Sequence, residues 1–175
     1  AMQGIRSPQT TLLFVFCLAL SLGSSSSEDK VKGRGFGDDY DWWSFEAGIK
    51  EAESTGRPAM VVIHKSWCGA CKRLGPLVAQ SAAIKEEAPK FVMINVLDDE
   101  EPKEGFKLDG GYIPRIFFYD GKHGETLDSV KCEGGNPKYQ YFYSNAEQVA
   151  SSMKTALKKM AEAGETEAKA ANAEL

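Results

Sequence analysis

Short apolar runs rich in β-branched and aromatic residues recur along the middle of the chain. Two of them, at residues 60–64 and 91–97, are bounded by proline and polar residues, which predicts buried strands. A third run at 115–119 predicts another strand, and the stretch 126–131 a fourth, with a hairpin-like turn at 120–124 between them. The hydrophobic pattern therefore predicts a β-sheet that contains at least these four strands.

Apolar residues at helical spacing mark three further segments. The first begins behind Asp41 as a candidate N-cap, ends at Gly56-Arg57-Pro58, and has one apolar face, formed by Trp42, Phe45, Ile49 and Ala52. The second covers about 68–88 and contains Pro76, which predicts a kink. The third follows the capping-box spacing of Ser144 and Glu147, and its apolar face is Val149, Met153, Ala156, Leu157 and Met160.

Together these elements predict an α/β fold with a central mixed sheet flanked by helices. A helix separates the first two strands, so those strands require a right-handed parallel crossover, whereas the hairpin adds an antiparallel edge. The length of 175 residues, of which 42% are hydrophobic and 26% charged, suits one globular domain with a single active site. We place this domain at residues 33–160.

Residues 1–23 are interpreted as a secretory signal peptide. Arg6 precedes an apolar stretch at 12–20 that is too short to span a bilayer, and small residues follow it, with cleavage after Gly23. An uncleaved anchor and a buried core helix are the alternatives. The stretch 24–39 is rich in serine, glycine and charge, and we interpret its first part, residues 24–32, as a linker. After cleavage we expect no membrane association.

Residues 161–175 have no large apolar side chain before Leu175, so we expect a disordered tail or a frayed helix. The last four residues, Asn172-Ala173-Glu174-Leu175, share only their final Glu-Leu with the Lys-Asp-Glu-Leu type of retrieval signal, and chance termination is the alternative. Combined with a signal peptide, this ending favours retention in the lumen of the endoplasmic reticulum over secretion.

Charge and cysteine content narrow the chemistry. The formal net charge of -4 becomes -5 once signal cleavage removes Arg6, which gives no electrostatic reason to expect nucleic-acid binding. Cleavage also removes Cys17 and leaves Cys68, Cys71 and Cys132 in a compartment where disulfides persist. These cysteines amount to one pair and one leftover residue.

The pair lies in the stretch HKSWCGACK, residues 64–72, between a predicted strand and a predicted helix. Unpaired N–H groups and the helix dipole favour a thiolate at Cys68, and Cys71, one turn inside, reaches back to resolve a mixed disulfide. Gly69 permits a tight turn, Trp67 offers a flat surface beside the sulfur, and Lys72 adds positive charge. This arrangement predicts a redox-active pair.

Two other interpretations of the pair are a zinc site and a structural disulfide. Zinc requires two more ligands, and the candidates Cys132, His64 and His123 form no second spaced pair, so we expect no metal. A disulfide that closes so short a loop constrains the unfolded chain little. We interpret His64 as a partly buried strand-end residue and His123 as a turn residue. Cys132 is interpreted as a buried small hydrophobe, with an exposed thiol that pairs with a second molecule as the alternative.

A resemblance to the thioredoxin family is carried by three motifs: Trp67-Cys68-Gly69-Ala70-Cys71-Lys72, Pro76, and Gly110-Gly111-Tyr112-Ile113-Pro114. HKSWCGACK, GGYIPRI, GNPKYQYFY and the Glu-Leu ending are similar to its anterior gradient group, and the resemblance covers roughly residues 33–160. It implies a thioredoxin fold in which Pro114 follows a cis peptide bond and faces the cysteine pair. It also implies a substrate-binding surface formed by Trp67, Tyr112, Ile113 and Pro114.

The resemblance further implies thiol–disulfide oxidoreductase activity on secretory-pathway proteins. Cys68 is then the nucleophile and Cys71 the resolving cysteine, with glutathione as a candidate redox partner and no cofactor beyond the pair. Many thioredoxins carry a buried acid six residues before the first cysteine, where this chain has Val62. This departure motivates the alternative of a client-binding module with little turnover.

The residues between the cysteines are the second departure. Gly69-Ala70 matches neither the Gly-Pro of reducing thioredoxins nor the Gly-His of oxidising isomerases. For a two-electron couple about 30 mV corresponds to about 1.4 kcal/mol, so a modest change in thiolate stabilisation by Gly69, Ala70 or Lys72 decides the direction of electron flow. The sequence alone leaves that direction open.

Overall fold

The computed structural model describes residues 29–103 and 105–173. Its strands are β1 (Trp42–Trp43), β2 (Pro58–His64), β3 (Val92–Leu97), β4 (Arg115–Asp120) and β5 (Glu125–Thr126). Its helices are α1 (Phe45–Thr55), α2 (Gly69–Gln80), α3 (Ala82–Glu87) and α4 (Ala146–Ala173). The predicted signal peptide, the first part of the linker and the final Glu-Leu lie outside the described residues.

The predicted mixed sheet is confirmed, with the strand order β1-β3-β2-β4-β5. β1 and β2 both pair with β3 in parallel, while β4 runs antiparallel to β2 and to β5. The central strand β2 is buried along its whole length. Because side chains alternate across a strand, Met60 and Val62 pack beneath α2, α3 and α4, whereas Val61 and Ile63 pack against α1. Apolar layers therefore cover both faces of the sheet.

The first predicted helix begins later than the hydrophobic spacing indicates. Trp42 and Trp43 form β1, and α1 starts at Phe45, after Ser44 in extended backbone, so Asp41 is not its N-cap. The two indoles face opposite sides of the sheet, one in each apolar layer. Burial of both tryptophans beside β3 overrides the helical spacing that includes Trp42.

The second predicted helix is two helices. Ser81 lies between α2 and α3 in extended backbone, with φ of -72° and ψ of 115°. Its N–H donates to Val78 O at 3.2 Å, and its hydroxyl accepts from Ile84 N–H at 3.3 Å, so one residue ends α2 and caps α3. Pro76 lies inside α2. The interruption therefore comes from a capping serine and not from the proline.

Two boundaries after β4 also differ from the prediction. β5 is shorter than the predicted strand at 126–131, because the chain turns after Leu127, where Val130 N–H donates to Leu127 O at 2.8 Å. The cap of α4 is shifted by one residue. Asn145 Oδ1 accepts from Gln148 N–H at 2.9 Å, and the Gln148 side chain accepts from Ser144 N–H at 3.0 Å.

The C-terminal tail is helical through Ala173, where the sequence pattern predicts disorder or fraying. Contacts with the β4–β5 turn support it: Glu167 accepts from His123 Nε2 at 2.5 Å and pairs with Lys122. Asp120 holds the other ring nitrogen at 2.7 Å, and hydrogen bonds to Asp120 and Glu167 raise the pKa of His123. Although α4 has 28 residues, no described helix is apolar enough at sufficient length to cross a bilayer.

Candidate active site

Cys68 and Cys71 lie where β2 gives way to α2. They form a disulfide with their Cα atoms 5.3 Å apart. Cys68 is the N-cap of α2 in extended backbone, and its carbonyl accepts from Lys72 N–H at 3.1 Å. A buried strand that feeds directly into a helix therefore places the pair at the carboxyl edge of the sheet, as the sequence predicts.

The two sulfurs have different surroundings. Cys71 N–H donates to Cys68 Sγ at 3.1 Å, and Cys68 occupies the N-terminal end of α2, where unpaired N–H groups and the helix dipole favour negative charge. Cys71 lies one turn further in, with 3% of its surface exposed against 6% for Cys68. This arrangement suits a nucleophile at Cys68 and a resolving thiol behind it.

The loop before β4 lies opposite Cys68. Cys68 Sγ is 3.9 Å from Ile113 O, and the Ile113–Pro114 peptide bond is cis, which confirms the expectation drawn from the family resemblance. Pro114 is buried, whereas Tyr112 and Ile113 are half-buried. Trp67, directly before Cys68, has 73% of its surface exposed. An exposed indole beside the pair offers an apolar surface to a polypeptide.

Residues that the sequence patterns did not assign to the site hold Tyr112 in place. Its hydroxyl donates to Asp109 at 2.6 Å and accepts from Tyr141 N–H at 3.0 Å, and its ring centroid lies 4.9 Å from that of Tyr139. Burial, followed by the Asp109 hydrogen bond, raises the pKa of Tyr112, so the phenol stays neutral. The segment 132–142 therefore forms a wall beside the loop, and its sequence signal is the aromatic run in GNPKYQYFY.

A buried ion pair supports the loop from behind. The Arg115 side chain is fully buried at the start of β4 and pairs with Glu101, whose side chain is 15% exposed. Arg115 Nη1 donates to Gly110 O at 2.6 Å, and Lys65 Nζ lies 3.1 Å from Glu101 Oε2. Burial alone would raise the pKa of Glu101, but hydrogen bonds from Arg115 and Lys65 outweigh it and lower that pKa. The pair joins the segments that follow β2 and β3 to the loop.

His64 is more deeply enclosed than the sequence interpretation of a partly buried residue. It is the last residue of β2, is 2% exposed, and has its ring centroid 4.7 Å from that of Phe36. Its Nε2 and Asn95 Oδ1 are 2.8 Å apart. Burial lowers the pKa of His64, although the Asn95 hydrogen bond acts in the opposite direction. Beside it opens a cleft of about 200 Å³, lined by Arg34, Phe36, His64, Lys65, Cys71 and Lys72 among others.

The residues between the cysteines form the first turn of α2. Gly69 is exposed, its φ is not positive, and a Cβ placed there would meet only Arg73 Nη1 at 3.6 Å. A glycine is therefore not required at this position, since its backbone conformation is open to other residues. Ala70 is half-buried, and the exposed Lys72 reaches the rim of the cleft beside Cys71.

Cys132 is buried and forms no disulfide within the described part of the chain, which confirms its interpretation as a small hydrophobe. Burial raises the pKa of the Cys132 thiol, and this keeps it in the less reactive neutral form. In residues 29–103 and 105–173, no three or more His, Cys, Asp and Glu side chains are grouped so that they could hold a metal ion.

The amino-acid sequence of this chain is similar to those of known proteins. A family model described as thioredoxin-like matches residues 41–121. Anterior gradient protein 3 of Homo sapiens is 30% identical over 143 residues, which cover 81% of this chain and 85% of that protein. Anterior gradient protein 2-B of Xenopus laevis is 29% identical over 143 residues, covering 81% of this chain and 86% of that protein.

A solved structure shows the same fold. The first thioredoxin domain of mouse protein disulfide-isomerase A4 superposes with a TM-score of 0.51, covering 77% of this chain and 86% of that domain at 14% sequence identity. The expected thioredoxin fold is therefore confirmed by an independent similarity in three dimensions.

Proposed function

This chain belongs to the thioredoxin-like family, together with the anterior gradient proteins, and from that membership we propose that it is a thiol–disulfide oxidoreductase. Cys68 attacks a substrate disulfide, and Cys71 then resolves the mixed disulfide that forms. In the opposite direction, the Cys68–Cys71 disulfide accepts two electrons from a substrate dithiol. The pair needs no additional cofactor for this exchange.

The position of Cys68 carries the proposal. It caps α2, accepts the Cys71 N–H at 3.1 Å, and lies 3.9 Å from Ile113 O in the cis-proline loop. A helix N-terminus stabilises the thiolate, which is both the attacking and the leaving form of a thiol in disulfide exchange. A cysteine that served only as a structural clip would require none of these three features.

Substrate polypeptide is proposed to lie across Trp67 and the loop formed by Tyr112, Ile113 and Pro114. Trp67 is largely exposed, and Ile113 contacts the Cys68 sulfur through its carbonyl oxygen. A substrate cysteine that reaches Cys68 must therefore pass between these two surfaces. Contacts with the peptide backbone and an aromatic side chain suit substrates of varied sequence.

We further propose that the protein works in the lumen of the endoplasmic reticulum on secretory-pathway clients, with glutathione as a redox partner. Support comes from the signal-like residues 1–23, the Glu-Leu ending and the presence of both cysteines. Within the anterior gradient group, these features suit a counterpart of the small thioredoxin domain-containing protein 12. Gly69, Ala70 and Lys72 are proposed to set the direction of electron flow.

A second candidate function is a client-binding or quality-control module with little turnover. The observation that favours it is Val62, which is buried where many thioredoxins carry an acid. Without a group that accepts the Cys71 proton, resolution of a mixed disulfide slows, and the exposed surface around Trp67 would serve for binding alone.

The two functions predict different rates. We expect the wild-type protein to accelerate both the reduction of insulin by a small thiol and the oxidative refolding of a reduced protein. The Cys68→Ser variant should lose this acceleration, by at least about 10³-fold if the nucleophile is essential. Equal rates for the two proteins, together with equal client binding, would establish the binding module instead.

A further inference from the structure

The cleft behind the cysteine pair contains a second group that can take part in the exchange. His64 closes β2 and lies on the sheet face that α2 covers, because its ring packs on Phe36, a member of the same layer as Leu74. Cys71 lies on the inner side of α2 and lines the same cleft of about 200 Å³. A buried imidazole and the resolving thiol therefore share one small space.

Hydrogen bonds fix which nitrogen of His64 carries the proton. Asn95 Nδ2 donates to Gly33 O at 2.8 Å, which turns Asn95 Oδ1 toward His64. This oxygen accepts only, so His64 Nε2, at 2.8 Å, must be the donor. Nδ1 then carries the lone pair, and the hydrogen bonds within residues 29–103 and 105–173 give it no partner. His64 as a whole is 2% exposed, and Nδ1 is not among the fully buried side-chain atoms of the described residues that lack a partner, so this basic nitrogen keeps some accessible surface.

Burial keeps this imidazole neutral near pH 7. Burial is the largest influence and lowers the pKa of His64; Arg34 lowers it further, while Asn95, Asp98 and Glu100 act to raise it. Lys65 and Lys72 add positive charge at the rim. An unprotonated imidazole is the form that accepts a proton.

We propose that His64 accepts the proton of the Cys71 thiol, directly or through water in the cleft, when Cys71 resolves the mixed disulfide. The proposal rests on the oxidoreductase function above and supplies the group that Val62 does not provide. Asn95 acts as a positioning residue, because its amide holds the imidazole in the tautomer with an unprotonated Nδ1. The amide is neutral, whereas a carboxylate at this position would stabilise the imidazolium and slow the release of its proton.

Resolution breaks one S–S bond and forms another. Cys71 S–H gives its proton to His64 Nδ1, and the Cys71 thiolate attacks Cys68 Sγ. The Cys68–substrate S–S bond breaks, the Cys68–Cys71 bond forms, and the substrate leaves as a thiolate carrying two electrons. The imidazolium then releases its proton to solvent or to that thiolate. Two molecules of a low-molecular-weight thiol such as glutathione then reduce the Cys68–Cys71 disulfide and leave as one disulfide, which restores the pair for the next cycle.

The test follows each step separately in the full chain with oxidised glutathione as the probe. Formation of the Cys68–glutathione mixed disulfide is measured in a Cys71→Ser background, and release of the second glutathione in the protein with both cysteines. In His64→Gln we expect release to slow about 10- to 100-fold near pH 7 and to rise about tenfold per pH unit, as for an unassisted thiol. Formation should change by less than about twofold.

Asn95→Asp provides a second variant that keeps the imidazole. A carboxylate beside Nε2 should raise the pKa of His64, so the rate of glutathione release should begin to fall at a higher pH than in the wild type. The rate at which the mixed disulfide forms should keep its wild-type dependence on pH. A purely structural His64 would leave both profiles unchanged. Release in His64→Gln that follows the wild type at every pH would overturn the proposal, as would a loss shared equally by both steps.

If the His64→Gln variant does not fold, the tautomer of His64 in the wild-type protein tests the proposal instead. In ¹⁵N-labelled reduced wild type, imidazole chemical shifts should report Nε2–H with an unprotonated Nδ1 near neutral pH, and an Nδ1–H tautomer would overturn the proposal. Failure of the oxidoreductase function gives a different result. In that case the wild type itself would not react with oxidised glutathione through Cys68, whatever residue stood at 64.

Discussion

Serine in place of Cys71 should trap covalent adducts on Cys68, whereas serine in place of Cys68 should trap none. The reason is the order of events at the pair. Cys68 caps α2 beside the cis-proline loop and meets the substrate first, and Cys71 lies one turn behind it with 3% of its surface exposed. Without Cys71, the mixed disulfide has no internal thiol to break it and accumulates.

The measurement is a non-reducing gel followed by identification of the partners after alkylation. We expect the Cys71→Ser protein to carry at least about ten times more adduct than wild type, because resolution normally removes it. Both variants should also carry Cys132→Ser, so that the buried Cys132 contributes nothing. Adducts of equal amount on both single variants would contradict a division of labour between the two thiols.

Loss of the Glu101 charge should destabilise the fold more than loss of any neighbouring carboxylate. Glu101 pairs with Arg115, whose side chain is fully buried, so the Glu101→Gln substitution leaves a buried cation without its counter-charge. Breaking a buried pair costs about 3–5 kcal/mol, and partial exposure of Glu101 reduces this to about 2–4 kcal/mol in the free energy of unfolding. Lys65 loses a partner as well.

Glu100→Gln is the matched control, because the adjacent Glu100 pairs with Arg34 and its side chain is 46% exposed. This pair should contribute about 0–1 kcal/mol. Urea unfolding of both variants and the wild type at neutral pH measures the difference. A cost within about 0.5 kcal/mol for Glu101→Gln would show that Arg115 does not depend on this carboxylate.

The contribution of Glu101 to the free energy of unfolding should also depend on pH. Its folded-state pKa lies below the ordinary value of 4.5, so the stabilisation is present above that value and is lost as the pH falls through the folded pKa. The difference in unfolding free energy between wild type and Glu101→Gln should therefore shrink in acid. A difference that stays constant down to about pH 3 would assign the effect to packing and not to charge.

The sequence predicts the position of the redox pair because its signals are local. An apolar run that ends at residue 64 and a cysteine at a helix start are enough to place Cys68 at the edge of the sheet. The family resemblance adds the cis-proline loop, which no spacing rule predicts. Hydrophobic spacing does not predict the pairing of β1 with β3, because two buried tryptophans outweigh helical periodicity over a short segment.

The surroundings of the pair depend on contacts between distant positions. His64 meets Asn95 from the neighbouring strand, and Arg115 meets Glu101 from the turn after β3. Tyr112 is held by Asp109 and by the backbone of the segment before α4. Each contact requires the strand register to bring the partners together, and hydrophobic periodicity does not encode that register.

The reduction potential of the Cys68–Cys71 pair, equilibrated against glutathione, tests the central claim most directly. A working exchange pair should show one two-electron transition between about -180 mV, as in oxidising isomerases, and about -270 mV, as in thioredoxin. A value near the less negative end of this range would favour oxidation or isomerisation of substrates, and a value near the more negative end would favour their reduction. A midpoint below about -300 mV, typical of structural disulfides, would contradict a redox role for the pair.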